Sequence, residues 1–107
     1  MTNALAWLYL TFAIITEVAG TTSMKLAAGF TEPGPSALIF IFYAMSLGFL
    51  TLSLKKLEIG LAYAIWSGLG TLLIFMIAIC FFHETITPLK VASLIGIIIG
   101  VIGLKQA

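Results

Sequence analysis

One carboxylate, Glu17, stands near the middle of an apolar run, Asn3 to Ala28, that is long enough to cross a membrane. A charge at that depth costs from ~3 kcal/mol on insertion scales to well over ~10 kcal/mol in simulations of an isolated helix. No Arg or Lys lies within a helical turn of it. The nearest cation in sequence is Lys25, about two turns on, where a helix would be leaving the bilayer. A carboxyl without a resident partner suits exchange chemistry, taking up a proton or a cation brought in from outside. The plainer alternative is a permanently protonated acid hydrogen-bonded to a neighbouring helix.

On a helix, Glu17 shares its face with Leu10, Ala13, Ile14, Gly20, Thr21 and Met24. Most of these are small or slim, so the face predicts a cavity beside the carboxylate rather than a packed seam, with Ala13, Gly20 and Thr21 lining it. A second constellation lies in Gly60 to Gly70, where Tyr63, Trp66 and Gly70 fall at i, i+3 and i+7 and put both aromatics on one face. Aromatic faces hold organic cations, and a Tyr hydroxyl can orient a carboxylate. An interfacial belt is the competing reading for Tyr63 and Trp66. Tyr43 and Ser46 share a face too, as pocket lining or as helix packing.

The elements that must position these residues follow from composition. Of the 107 residues, 62% are hydrophobic and 8% charged, against about 25% charged in ordinary globular domains. That leaves too little polar surface to coat a water-soluble particle, and the chain reads as an all-α integral membrane protein. Four spans are expected, at about 3–28, 36–55, 59–82 and 88–105, making a single transmembrane domain. Gly29 ends the first, and the stretch Gly29 to Pro35, with two prolines, two glycines and Glu32, reads as a loop. Ser36 is the expected N-cap of the second helix and Pro88 fits the first turn of the fourth. Gly68 and Gly70 mark the expected hinge of the third helix.

Four short helices could hardly enclose a substrate alone, so an oligomer is expected. Gly96 and Gly100 form a Gly-x-x-x-Gly pair, and with Ser93 they predict the interface on the fourth helix; packing within one subunit is the alternative. If the N-terminus faces the cytoplasm, Lys55, Lys56 and Lys105 lie on that side and Lys25 and Lys90 on the other. An excess of one lysine is almost no orientational bias, so both insertions are accessible and an antiparallel pair can form.

Other classes find no support. A formal net charge of +1 gives no reason to invoke nucleic acid. Cys80 alone cannot form an internal disulfide and reads as an apolar filler, and His83 beside Glu84 reads as loop. No metal-ligand spacing, phosphate-cradling loop or nucleophile with a partner base is present, so neither an enzyme, a metal site nor a cofactor is expected. The first residues lack a basic segment and Glu17 interrupts the apolar stretch, so no cleavable leader is expected either.

Taken together, the chain resembles the small multidrug resistance family of the drug/metabolite transporters. The resemblance rests on Glu17-Val18-Ala19-Gly20-Thr21-Thr22 with Met24-Lys25, on Gly29-Phe30-Thr31 and Pro35-Ser36, and on Ala62-Tyr63-Ala64-Ile65-Trp66-Ser67-Gly68. It implies an antiparallel, dual-topology homodimer in a bacterial cell membrane that exchanges protons for organic cations. It also implies that Glu17 of both subunits is the shared proton and substrate site, lined by Tyr43, Ser46, Tyr63 and Trp66. Gly20-Thr21-Thr22 is similar to the branch exporting quaternary ammonium and other lipophilic cations, whereas the guanidinium-exporting branch carries a tryptophan where this chain has Gly20. Gly103-Leu104-Lys105 is similar to the guanidinium branch, and Ser93 stands where the family's interface usually has a glycine. The expected function is proton-coupled export of hydrophobic cations, with guanidinium export as the alternative cargo and a non-transporting membrane subunit as the alternative of another class.

Overall fold

The computed structural model describes residues 2–107. Four helices follow one another, α1 (Asn3–Leu26), α2 (Pro33–Ser53), α3 (Ile59–Phe81) and α4 (Pro88–Gln106), and each is long and apolar enough to cross a membrane. At ~1.5 Å per residue even α4, the shortest at 19 residues, reaches ~28 Å, close to the ~30 Å hydrocarbon core. There are no strands among the described residues.

The second helix begins earlier than the sequence suggests. Pro33, Gly34 and Pro35 lie inside the first turn of α2, with Glu32 as N-cap, instead of in the loop. The physical reason is that the first-turn N–H groups have no intrahelical acceptor, so prolines there forfeit nothing. Ser36 is consequently helical and not a cap, and its Oγ donates to Glu32 O at 2.6 Å. The helix also stops at Ser53, short of Lys55. In the same way α1 ends at Leu26 and not at Ala28, because Ala28, Gly29 and Phe30 all turn to positive φ, a conformation that costs nothing only at the glycine. Threonine hydroxyls start the outer helices. Thr2 Oγ1 accepts from Leu5 N and Thr87 Oγ1 from Lys90 N, each at 3.1 Å.

α1 is the central element, packed along α2 and against α3, while α4 leans on α3 and has no buried residue. Leu10, Ile14 and Val18 of α1 meet Ala62 and Ile65 of α3 in the apolar core. At the far end Lys105 places its Nζ 5.2 Å from the centre of the Trp7 ring. This returns the end of α4 to the start of α1 with a cation–π contact worth about 0.5–1 kcal/mol.

In a bilayer every polar group must find a partner inside the protein. Most hydroxyls here do so within their own helix: Thr11, Thr22, Ser23, Thr51, Thr71 and Ser93 each donate to the carbonyl four residues back. No buried side-chain nitrogen or oxygen among the described residues lacks a hydrogen bond. The exceptions to local pairing are informative, because a polar side chain that reaches across to another helix gives up that easy solution. They all converge on α1 between Ala13 and Thr21.

Candidate functional site

Glu17 sits half-buried at mid-span of α1. Its Oε1 accepts from Thr21 Oγ1, one turn on, at 2.8 Å, and from the Tyr43 hydroxyl of α2 at 3.4 Å. The Thr21 and Tyr43 hydroxyls are themselves directly hydrogen-bonded. Two hydroxyl protons serve these three contacts, so with Thr21 donating to Oε1 and Tyr43 donating to Thr21 one full charge-assisted bond reaches the carboxylate, contributing about 1.5–3 kcal/mol without any cation. No hydrogen bond from the described residues reaches Oε2.

That second oxygen faces α3 at Gly70, where a Cβ would stand only 2.7 Å from it. Around it opens a cleft of about 260 Å³, bounded by Glu17 and Thr21 on α1 and by Trp66, Ser67, Gly70, Thr71 and Phe75 on α3. The carboxylate thus has one oxygen held by the protein and one turned to open space lined by aromatic rings. Such a site can hold a proton on Oε2, or a cation between the carboxylate and the Trp66 and Phe75 rings. Among the described residues there is no group of His, Cys, Asp and Glu that could hold a metal ion.

One turn down the helices a second knot fixes the aromatic wall. Ser46 is fully buried, and its Oγ donates to Ala13 O at 2.7 Å. The Trp66 indole Nε1 lies 3.3 Å from the same carbonyl and 3.2 Å from Ser46 Oγ. Three helices are tied at one backbone oxygen, with the half-buried indole directed at it by its nitrogen. Tyr63 sits beside it, ring centres 5.4 Å apart, but is 57% exposed on the outer side of α3 and does not border the cleft.

The face of α1 around Glu17 is divided, and this corrects the expectation of one continuous cavity. Leu10, Ala13 and Ile14 are buried in the packed seam, Ala13 completely. Gly20 is filled too: a Cβ there would stand 2.6 Å from Tyr43 Cδ2 and 3.3 Å from Phe42 Cβ, so its missing side chain seats the tyrosine ring. Gly68 faces elsewhere, toward Val101 and Ile97 of α4, and α3 runs as one helix through Gly68 and Gly70. Ser93, Gly96 and Gly100 lie exposed on α4, and a Cβ at either glycine would meet nothing within 4 Å. Ser67 and Thr71 border the cleft as well, although the sequence reading does not single them out; two hydroxyls at i, i+4 in an otherwise apolar helix are the available signal.

These features define a class: a small, all-helical integral membrane protein organised around a single interior carboxylate. The family is more specific. The profile of the small multidrug resistance proteins matches residues 5–103, and the chain belongs to that family. It is 50% identical over 99 residues, 92% of this chain and 83% of the relative, to the uncharacterized membrane protein YvaE of Bacillus subtilis (strain 168). It is 41% identical over 100 residues, 94% of this chain and 86% of the relative, to the multidrug resistance protein EbrB of the same organism.

Proposed function

We propose that the protein is a proton-coupled antiporter that exports hydrophobic and quaternary ammonium cations across the bacterial cell membrane. The observation that carries this reading is the asymmetry at Glu17. Oε1 is clamped by Thr21 and Tyr43, while Oε2 looks into an aromatic-lined cleft with no cationic side chain to neutralise it. Proton and cation then compete for one oxygen, so that loading one releases the other. The likeness to a multidrug resistance protein at 41% identity supports the same cargo class.

The cleft of about 260 Å³ is smaller than the ~300–1,000 Å³ usual for small-molecule sites, as half a shared site would be. Pairing with a second, oppositely inserted copy through the open Ser93, Gly96 and Gly100 face of α4 would complete it. The residues proposed to hold the cation are Glu17, Trp66 and Tyr43, with Tyr63 reaching the site from its exposed position once a second copy covers it.

The test is the pH dependence of binding. Affinity for tetraphenylphosphonium should fall as the pH drops and Glu17 takes up its proton, and Glu17→Gln should abolish both the dependence and coupled transport. Phosphonium affinity and coupled transport that survive unchanged in Glu17→Gln would remove Glu17 from the mechanism.

Guanidinium is the second reading, and one observation favours keeping it. The space left by Gly20 is taken by the Tyr43 ring, so this glycine does not widen the cleft as an argument for bulky cargo requires. Transport of guanidinium and of a quaternary ammonium, measured side by side in proteoliposomes, separates the two. The same vesicles decide against a non-transporting role if either cation moves protons.

A further inference from the structure

A second, smaller cavity lies directly beyond the Glu17 cleft. It measures about 110 Å³ and is bordered by Thr21, Thr22 and Lys25 at the end of α1, by Ile74 and Ala78 of α3, and by Glu84 in the loop beyond. Thr21 and Ile74 border both spaces, and the Thr21 hydroxyl donates to the carboxylate. Glu84 is placed there by the backbone. His83 takes a positive φ of 57°, and Glu84 N then donates to Ala78 O at 3.1 Å, folding the chain back over the last turn of α3.

We propose that protons reach Glu17 by this route of their own, while bulky cations use the larger cleft. The inference rests on the exchange reading above. Size separates the two species: 110 Å³ holds about three waters at ~30 Å³ each, far below what an aromatic cation needs. The lining is mixed: Ile74, Ile77, Ala78 and Phe82 make its wall largely apolar, and the Thr21 and Thr22 hydroxyls with Lys25 and Glu84 supply the polar groups. Lys25 and Glu84 are exposed at the outer end and no ion pair joins them among the described residues, so the mouth is polar without being closed. Thr22 Oγ1 donates to Val18 O at 2.8 Å and keeps its lone pairs for water. Thr21 Oγ1 already donates to Glu17 Oε1.

The transfer balances. A hydronium in the vestibule gives a proton to Thr21 Oγ1 as the hydroxyl passes its own proton to Oε1, leaving water, a neutral hydroxyl and a neutral acid. The titratable and charged groups around the acceptor are few. α2 contributes the Tyr43 hydroxyl, and α1 and the loop contribute Lys25 and Glu84 at the outer end. The α3 residues bordering the cleft include none.

The purified chain in detergent micelles is dropped in pH by stopped flow, and tryptophan fluorescence follows the phase that Glu17→Gln eliminates. Ala78→Leu, which fills the vestibule, should slow that phase about tenfold, and Thr22→Val, which removes one hydroxyl, about threefold. Tetraphenylphosphonium affinity at high pH should stay within about twofold in both, which also shows that each variant is folded. Unchanged proton rates with retained affinity would overturn the separate route, as would equal slowing of phosphonium association. Absence of any Glu17-dependent phase in the unmodified chain would instead overturn the exchange reading and this inference with it.

Discussion

Two glycines touch the site and should respond to the same substitution in opposite ways. A Cβ at Gly20 would stand 2.6 Å from one Tyr43 ring atom and 2.8 Å from another, with Phe42 Cβ close behind. The ring is held by its hydroxyl's bonds to Thr21 and Glu17, so making room breaks those bonds or moves α1 from α2, at about 1–3 kcal/mol for such overpacking. At Gly70 the atom met is Glu17 Oε2, the free end of a flexible side chain. Gly70→Ala should therefore leave thermal stability unchanged or raise it by about 0.5–1 kcal/mol, the helix preference of alanine over glycine. It should weaken cation binding by displacing the working oxygen. Gly20→Ala should lower the unfolding temperature, and it should alter the pH profile of binding because Tyr43 leaves Oε1. Thermal melts and phosphonium titrations on both variants check this, and similar melts for the two would contradict the assignment of their faces.

At the scale of elements, α3 carries two separate loads two residues apart, on different faces of one turn. Gly70 makes room for a carboxylate and Gly68 makes room for α4, where a Cβ would lie 2.8 Å from Val101 Cγ2 and 3.3 Å from Ile97 Cγ2. α4 leans on α3 and buries none of its own residues, so this close approach is a large part of what seats it. Gly68→Ala is expected to destabilise the subunit by about 1–3 kcal/mol. Shortening the facing side chain with Val101→Ala in the same protein should recover most of that loss, and failure of the double variant to recover would show that Gly68 acts through α3 itself, as a hinge would. The pattern of hydroxyl bonding belongs to this scale too. Serines and threonines that pair within their own helix are compatible with lipid on every side, whereas Ser46, Thr21 and Tyr43 commit their bonds to a neighbour and so fix the α1–α2 register at the carboxylate.

The whole subunit is a thin object, with Cα extents of 41 × 35 × 17 Å, and one copy leaves the Tyr63 side of the site and the Ser93, Gly96 and Gly100 face uncovered. A side chain at Gly96 would meet nothing within the subunit. Gly96→Leu should thus fold as well as the parent chain, while dissociating the proposed pair and weakening cation binding with it. Light scattering of the detergent complex reads the first and phosphonium titration the second; an intact pair would move the seam away from this face. The lysines bear on how the proposed pair inserts. Lys55, Lys56 and Lys105 lie at one end of the bundle and Lys25 and Lys90 at the other, so C-terminal reporters should be detected on both sides of the membrane, and adding two lysines at one end should make them report from one side only.

Much of this is legible in the order of residues. A bilayer leaves a chain little freedom: apolar runs of sufficient length must become helices, their ends must fall at the polar and proline-rich breaks, and an acid inside one of them must have a use. The four spans follow from such local and compositional facts, and the family from the resemblance of the motifs around Glu17 and Trp66. The start of α2 escapes a sequence reading because proline breaks a helix interior but not its first turn, and sequence alone does not say which turn is first. What each small residue makes room for lies beyond its reach for a different reason. Gly20, Gly68 and Gly70 look alike in a sequence, yet one seats a tyrosine ring, one seats α4 and one opens toward the carboxylate. Only the rotation of each helix against its neighbours assigns them, because that rotation is set by packing across helices and not by anything the residues carry individually.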